Sequence, residues 1–402
     1  LIDEIEHLHD LDINSDEYQS VLKCLENKNK NELINQTDEI VYPHLDDPNF
    51  TLKLTKKKEF NDVKIQKKTQ EQINNIGEEA DRLCKGNIEF ELEPHQMFVR
   101  NFLSFETPYK SLLIFHGLGT GKTCSSITVC EEMRSYYKQL GINKKIMIIA
   151  SPTVQENYML QLFDERKLKR INGLWNIKAC TGNKFIKEVN PMNMKGLTRD
   201  KIVKQIKKII RQSYEFMGYI EFANKIDKLI KKINVSGDND RKRKRKINAI
   251  RREFSNRLLV IDEVHNIRAL HGSKRRTTQN MLDLVTYVDN MKMLLLTATP
   301  MFNDAMEIIW LLNLMNLNDK RFPLKISDVF NPDGSFVKSE SGENIGKQLL
   351  IQKLIGYVSY VSGENPFTFP YRIWPWESAN PHSLKKLLQD GWNYPTTQVN
   401  GL

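Results

Sequence analysis

No stretch of this chain approaches the ~18 consecutive apolar residues that a membrane helix needs; the best runs are Leu258-Leu-Val-Ile261 and Met293-Leu-Leu-Leu296. A membrane is therefore not an expected partner. No secretory signal is visible, although the sequence begins at Leu1 and not at Met, so a true N-terminus is expected to be missing. Cysteine is scarce and scattered: Cys24, Cys84, Cys124, Cys130 and Cys180 form no CxxC pair and are odd in number. That argues against a zinc site or a disulfide frame, and for a reducing intracellular compartment. No internal repeat appears, which sets aside solenoids and propellers. What remains is 402 residues, 27% charged and 40% hydrophobic, the balance of a globular protein of about two to three units.

The formal charge of +10 hides a polarity along the chain. Residues 1–52 hold 13 Asp/Glu against 3 Lys, a local charge of −10. Residues 195–252 hold 19 Lys/Arg against 6 Asp/Glu, a local charge of +13. Within the second stretch, Arg241, Lys242, Arg243, Lys244, Arg245 and Lys246 are consecutive. Like charges that dense repel, so the run either lies in a mobile loop or is neutralised by a polyanion. Nucleic-acid contact, a nuclear-localisation-type signal and an idle solvated loop all remain open.

Residues 1–85 read as an acidic-to-polar helical accessory region with weak core content, closed in its first part by Pro43 and Pro48. From Leu92 the texture changes. Ser111–Phe115, Lys145–Ala150, Leu258–Ile261 and Met293–Thr297 are short continuous apolar runs separated by helical patterns. Strands covered on both faces look like this, which predicts an α/β fold with a parallel sheet flanked by helices. Each run ends in polar or glycine residues, at the edge where open α/β sheets place their ligands.

The sharpest signal follows the first of these strands: Phe115-His-Gly117-Leu-Gly119-Thr120-Gly121-Lys122-Thr123. Glycines let successive backbone N–H groups curl around a phosphate at the positive end of the next helix. Lys122 is placed to reach β- and γ-phosphates, and the Thr123 hydroxyl to ligate Mg²⁺. His116 stands where the general pattern wants Gly or Ala; Gly117 and Gly119 keep the loop supple. A second acidic element ends another strand, Asp262-Glu263-Val-His265. Asp262 is expected to hold the metal, directly or through water, and Glu263 to polarise the water that attacks the γ-phosphate.

These residues resemble the DExH-box ATPases of helicase superfamily two. The resemblance covers roughly residues 88–375. Asp262–His265 looks like their second motif, and Leu296-Thr297-Ala-Thr299-Pro-Met301 like their third. It implies a RecA-like first lobe over residues 86–320, with catalytic roles for Lys122, Asp262, Glu263 and His265, and coupling of nucleotide state to nucleic acid through Thr297 and Thr299. Leu92-Glu-Pro-His-Gln96 is similar to the glutamine motif, so Gln96 would read adenine of ATP; an ordinary helix-start glutamine is the alternative. Ser151 and Thr153 sit where these enzymes hold nucleic-acid phosphates, and Thr181 matches a second such contact about as well as it matches a plain turn. The wording of the three motifs, and Gly363–Arg372, resemble helicases of large nucleocytoplasmic DNA viruses, among them poxvirus-type early transcription factor small subunits and transcription-termination ATPases.

Two departures shape the expectation. Asp262 follows Lys122 by 140 residues, a long gap, and the basic stretch 195–252 reads as an insertion inside it. No Gln-x-x-Gly-Arg-x-x-Arg follows residue 303, so a second RecA-like lobe with its arginine fingers is expected to be lacking, and residues 321–402 to be linker. The expected activity is a nucleic-acid-dependent ATPase, a helicase or duplex translocase in viral transcription, acting on DNA before RNA and alongside viral RNA polymerase or other transcription factor subunits, in a virion or a host-cell cytoplasmic replication site. The alternative is a one-lobed ATP-binding scaffold of a transcription complex with little turnover.

Overall fold

A computed structural model of the protein describes residues 42–64, 92–117, 119–191, 196–231, 239–269, 274–301 and 304–361, together with Asn75, Gly77, Glu78 and Asp81. The chain divides into two units. One, Leu1–Lys67 with Ile88–Gly363, holds nearly all described residues; the other, Lys68–Asn87 with Glu364–Leu402, contributes only those last four. Most of the acidic stretch 1–52, and the Gly363–Arg372 segment, lie outside the described residues.

Six parallel strands form the centre, in the spatial order β5-β2-β6-β7-β1-β8. They are β1 (Ser111–His116), β2 (Ile146–Ile149), β5 (Tyr214–Met217), β6 (Leu258–Ile261), β7 (Lys292–Thr297) and β8 (Val358–Val361). The four apolar runs read from the sequence are the four inner strands, buried on both faces as that pattern requires. The sheet is thus the RecA-like arrangement expected. β7 lies between β1 and β6, with Phe115 opposite Thr297 and Ile261 opposite Leu295. The C-terminal ends of β1, β7 and β6 therefore stand side by side at one edge.

The flanking helices follow from local sequence. α1 (Phe50–Lys56) and α2 (Lys58–Asn61) precede α3 (Pro94–Phe102), which starts at Pro94 behind a reciprocal cap between Glu93 and Gln96. α4 (Lys122–Leu140) ends at Gly141, whose φ of +66 gives the left-handed turn that stops it. α5 (Pro152–Leu162) leads to a small antiparallel ribbon, β3 (Lys169–Ile171) and β4 (Leu174–Asn176), and α6 (Lys184–Val189) follows. α7 (Arg199–Ser213) buries Ile202, Ile206 and Ile210, an i, i+4, i+8 stripe, and runs straight into β5. α8 (Tyr219–Lys231), α9 (Asn239–Phe254), α10 (His265–Ala269) and α11 (Lys274–Tyr287) alternate with the strands. The apolar α12 (Glu307–Asn318) is followed by α13 (Ile326–Val329) and α14 (Ile345–Leu354). None of the described helices is long and apolar enough to cross a membrane.

Five expectations need correction. Residues 195–252 are not a segment inserted into the lobe: their described part supplies β5, paired with β2, and the buried Ile250 of α9. The basic run is helical, not loop. Its repulsion is relieved locally, because Lys246 pairs with Asp283 at 2.6 Å and lies over the Tyr287 ring, while Arg251 pairs with Asp289. The segment 42–61 has a real core content, since Phe50, Leu54 and Phe60 are buried and Tyr109 donates its hydroxyl to Pro43 O. Finally, Cys124 and Cys180, 56 residues apart, are joined as a disulfide with their Cα atoms 5.3 Å apart, a pairing that tertiary proximity alone creates. The lobe also continues past residue 320: Arg321 pairs with Asp46 and stacks on Tyr357, and β8 completes the sheet beside β1.

Candidate nucleotide site

The edge formed by β1, β7 and β6 gathers most of the residues singled out above. Between β1 and α4, Gly119 and Gly121 adopt φ of +80 and +78, conformations open to glycine and costly to other residues. Gly117 donates its N–H to Val361 O at 3.1 Å, and Thr120 its hydroxyl to Gly117 O at 2.8 Å. Lys122 opens α4 and folds back, donating to His116 O at 2.9 Å and Gly117 O at 3.5 Å. Thr123 follows in the first turn. Leu118 lies outside the described residues.

His116 takes the place of a small residue without entering the loop. Its ring is buried, its Nε2 meets Ser359 Oγ at 2.9 Å on β8, and it packs edge-on against His95 at 5.4 Å. Burial, aided by His95 and Lys122, pushes its pKa down to about 4, so it is neutral. The ring thus sits between Ser359 of β8 and His95 of α3.

Gln96 lies beneath the loop and is nearly buried. Its Oε1 accepts from Glu93 N at 3.1 Å and its Nε2 donates to Gly121 O at 3.5 Å. The helix-start role is thus what the structure shows, with a second role in bracing the loop. A Cβ on Gly121 would collide with that same Nε2. His95, not singled out from the sequence, braces the loop as well, through Nε2 to Thr120 O at 2.9 Å. Its one sequence signal was adjacency to Gln96.

Asp262 follows β6 directly and is 8% exposed. Burial first, then the neighbouring Glu263, pushes its carboxyl up to about 6, with the Glu263 N–H and Lys122 pulling the other way. Glu263 has φ of +43, a left-handed conformation rare for its type, and donates its N–H to Asp262 Oδ1 at 2.9 Å. Its own carboxylate accepts from Thr297 Oγ1 at 3.2 Å. Thr297 Oγ1 also accepts from Thr299 N at 3.0 Å and meets His265 Nδ1 at 3.1 Å; Nδ1 lies 3.4 Å from Glu263 Oε2. With the threonine proton aimed at Glu263, Nδ1 is the donor to Thr297 Oγ1. Thr297, Thr299, Glu263 and His265 therefore form one polar cluster between the ends of β6 and β7.

Ser151 caps the start of α5, and Thr153 is exposed in its first turn. Tyr219, for which the sequence held no signal, bridges this segment to the acidic pair: its hydroxyl donates to Asp262 O at 2.8 Å and contacts the Ser151 backbone. Thr181 donates to Leu162 O at 3.0 Å, so its hydroxyl is engaged in a turn. The basic helix Arg241–Lys246 is attached to α11 through Lys246.

A buried carboxylate held above its ordinary pKa destabilises the fold that contains it. The native state binds the proton more tightly than the unfolded chain, so stability falls as pH rises between the two values and the full cost remains above about 6. Asp262→Asn is therefore expected to stabilise the nucleotide-free protein by roughly 1–3 kcal/mol near pH 8, the gain fading as pH falls toward about 4. Denaturant unfolding at several pH values checks this; a variant less stable than wild type at high pH refutes the sign.

A six-stranded parallel sheet with a glycine-rich loop, an acidic pair and a threonine cluster at one edge defines a RecA-like lobe. Residues 23–330 match the family model of the SNF2-related domain, and the chain belongs to that family. It is 27% identical over 348 residues to a protein named "Putative ATP-dependent RNA helicase" from Acanthamoeba polyphaga mimivirus, covering 83% of this chain and 28% of that one. It is 27% identical over 273 residues to a "Putative helicase" of Frog virus 3, covering 68% and 24%. An early transcription factor large subunit homolog of African swine fever virus is 22% identical over 335 residues, covering 70% and 29%; the sequence resemblance had pointed to the small subunit. Among solved structures, a Sulfolobus solfataricus SWI2/SNF2 ATPase core in complex with double-stranded DNA is similar at 15% identity and a TM-score of 0.36, over 68% of this chain and 45% of that one. The chain spans about a quarter of the length of the first two relatives.

Proposed function

We propose that this chain is the ATP-binding lobe of a nucleic-acid-dependent ATPase that moves along duplex DNA within a viral transcription assembly. The observation that carries the reading is the convergence of the Lys122 loop and the Asp262–Glu263 pair at one sheet edge, with Thr297 between them. Membership of the SNF2-related family and the helicase names of its relatives support it, and the transcription factor name of one relative supports the setting.

In this reading the loop N–H groups from Gly119 to Thr123 cradle the phosphates, Lys122 leaves its carbonyl partners for the β- and γ-phosphates, and Gln96 turns its amide toward adenine. Thr123 and Asp262 are the residues to hold Mg²⁺. They fit a hard cation: both are oxygen donors, and the Asp262 carboxyl is a buried anion held by one backbone N–H with only the distant help of Lys122. The metal supplies charge neutralisation at the phosphates. Glu263 accepts the proton of the attacking water, and Thr297 and His265 hold its carboxylate still. Tyr219 links that pair to Ser151, where Ser151 and Thr153 meet a phosphate backbone. Turnover draws on an arginine from across the cleft, worth roughly 10³–10⁵ in rate.

The test is ATP hydrolysis by the full-length protein with and without duplex DNA. Stimulation is expected, and neutralising Arg241, Lys242, Lys244 and Arg245 should make the log–log salt dependence of DNA affinity shallower by about three. ATP binding without any DNA stimulation leaves only the scaffold reading; an unchanged salt slope removes the basic helix from the interface.

A further inference from the structure

The ribbon β3–β4 is unexplained by nucleotide chemistry. It turns tightly at Asn172 and Gly173, both left-handed with φ of +49 and +80, the pair a two-residue hairpin demands. On either side of this turn stand Ile171 and Leu174, each 51% exposed, placing two large aliphatic side chains together at the most exposed point of the ribbon. A lone two-stranded ribbon is marginal in water, and its Ile171–Leu174 cross-strand pair still leaves about half of each side chain in solvent. Its flanks are basic: residues 165–178 carry Arg166, Lys167, Lys169, Arg170 and Lys178 against Glu165 alone. Glu165 is already paired with Lys207, and Arg166 with Asp164, which leaves exposed Lys167, Lys169 and Lys178 facing solvent.

The feet of this excursion are held firmly. Thr181 is hydrogen-bonded to Leu162 O, closing the segment on the end of α5. Cys180 is bridged to Cys124, the residue after Thr123 of the phosphate loop. Trp175 donates its indole N–H to Leu197 O at 3.1 Å. The ribbon thus springs from the stretch between Ser151–Thr153 and Thr181, and its foot is covalently tied to the helix that begins at the phosphate loop.

We propose that this hairpin is a duplex-DNA pin: Ile171 and Leu174 wedge against a base step from the minor groove while Lys167 and Lys169 hold the adjacent phosphates. Apolar wedges flanked by cations are how proteins part stacked base pairs, because the aliphatic surface replaces stacking that the backbone contacts then hold open. The proposal rests on the nucleic-acid reading above, and the disulfide gives movement of the phosphate-loop helix a direct line to the pin.

The test uses full-length protein and a DNA duplex carrying 2-aminopurine, which brightens when unstacked. Wild type should brighten it on binding. Ile171→Ser with Leu174→Ser, at exposed positions that leave the Asn172-Gly173 turn intact, should remove most of the brightening and weaken binding by about tenfold, with ATP affinity and unfolding midpoint unchanged. Lys167→Gln with Lys169→Gln should instead shallow the salt slope by about two. Brightening that survives in the tip variant, or DNA binding by wild type with no brightening, overturns the pin and leaves the ATPase reading standing. Failure of wild type to bind DNA overturns both. Self-association in sedimentation that the tip variant abolishes gives the tip to a second copy of the chain and also overturns the pin.

Discussion

Lys122→Ala is expected to abolish measurable ATP binding, with calorimetric affinity falling by roughly 10²–10⁴. The figure follows from two charge-assisted hydrogen bonds to phosphate, each worth about 1.5–3 kcal/mol in a partly dehydrated loop. In the nucleotide-free fold the ammonium satisfies itself on His116 O and Gly117 O, carbonyls that can turn to solvent when it is gone. α4 itself rests on buried Ile127, Val129, Cys130 and Met133, none of which touches that ammonium's role. The unfolding midpoint should therefore hardly move, which separates loss of a ligand contact from loss of the fold. ATP affinity equal to wild type would end the phosphate-loop assignment, and with it the mechanism built on Asp262 and Glu263.

How much of this was readable beforehand depended on what each residue's neighbours contribute. β1, β2, β6 and β7 were legible because strands covered on both faces need no polar alternation, and Ile146–Ile149 or Leu258–Ile261 can hardly be anything else. The edge strands were not. Tyr214-Glu-Phe-Met217 and Val358-Ser-Tyr-Val361 have mixed faces, since Glu215 reaches out to Arg257 and Tyr360 is exposed. Missing β5 made a framework stretch look like an insertion, and missing β8 ended the lobe too early.

The basic run shows the limit of arguing from charge alone. Repulsion among Arg241–Lys246 is a sound reason to doubt a helix, but it omits Ile247, Ile250 and Phe254, whose packing fixes α9, and the carboxylates of Asp283 on α11 and of Asp289 just past its end. The site divides in the same way. Lys122, Thr123, Asp262 and Glu263 carry their chemistry in their spacing. His95, Tyr219 and Ser359 act through hydrogen bonds across 25, 43 and 243 residues, distances at which a single sequence carries no pattern. Cys124 and Cys180 belong to that second group.

Glu263→Gln is expected to keep ATP binding and to lower hydrolysis in the full-length protein by roughly 10²–10⁴, the range for loss of a positioned base. The geometry explains why the effect should be confined to turnover. Glutamine keeps the length of the side chain and an oxygen for the Thr297 hydroxyl and His265, so the cluster at the ends of β6 and β7 survives; only the capacity to take a proton is lost. The backbone at 263 holds a left-handed φ of +43, which costs about 1 kcal/mol in a residue other than glycine, and the Asp262 carboxyl secures it through the Glu263 N–H. That strain sets Glu263 apart from Asp262, so two adjacent carboxylates face different tasks: one buried and raised to about 6, the other in the polar cluster with Thr297. Single-turnover hydrolysis beside equilibrium nucleotide binding separates the roles. Hydrolysis at the wild-type rate would take the base away from Glu263, while loss of ATP binding would mean that the carboxylate supports the loop and not the water.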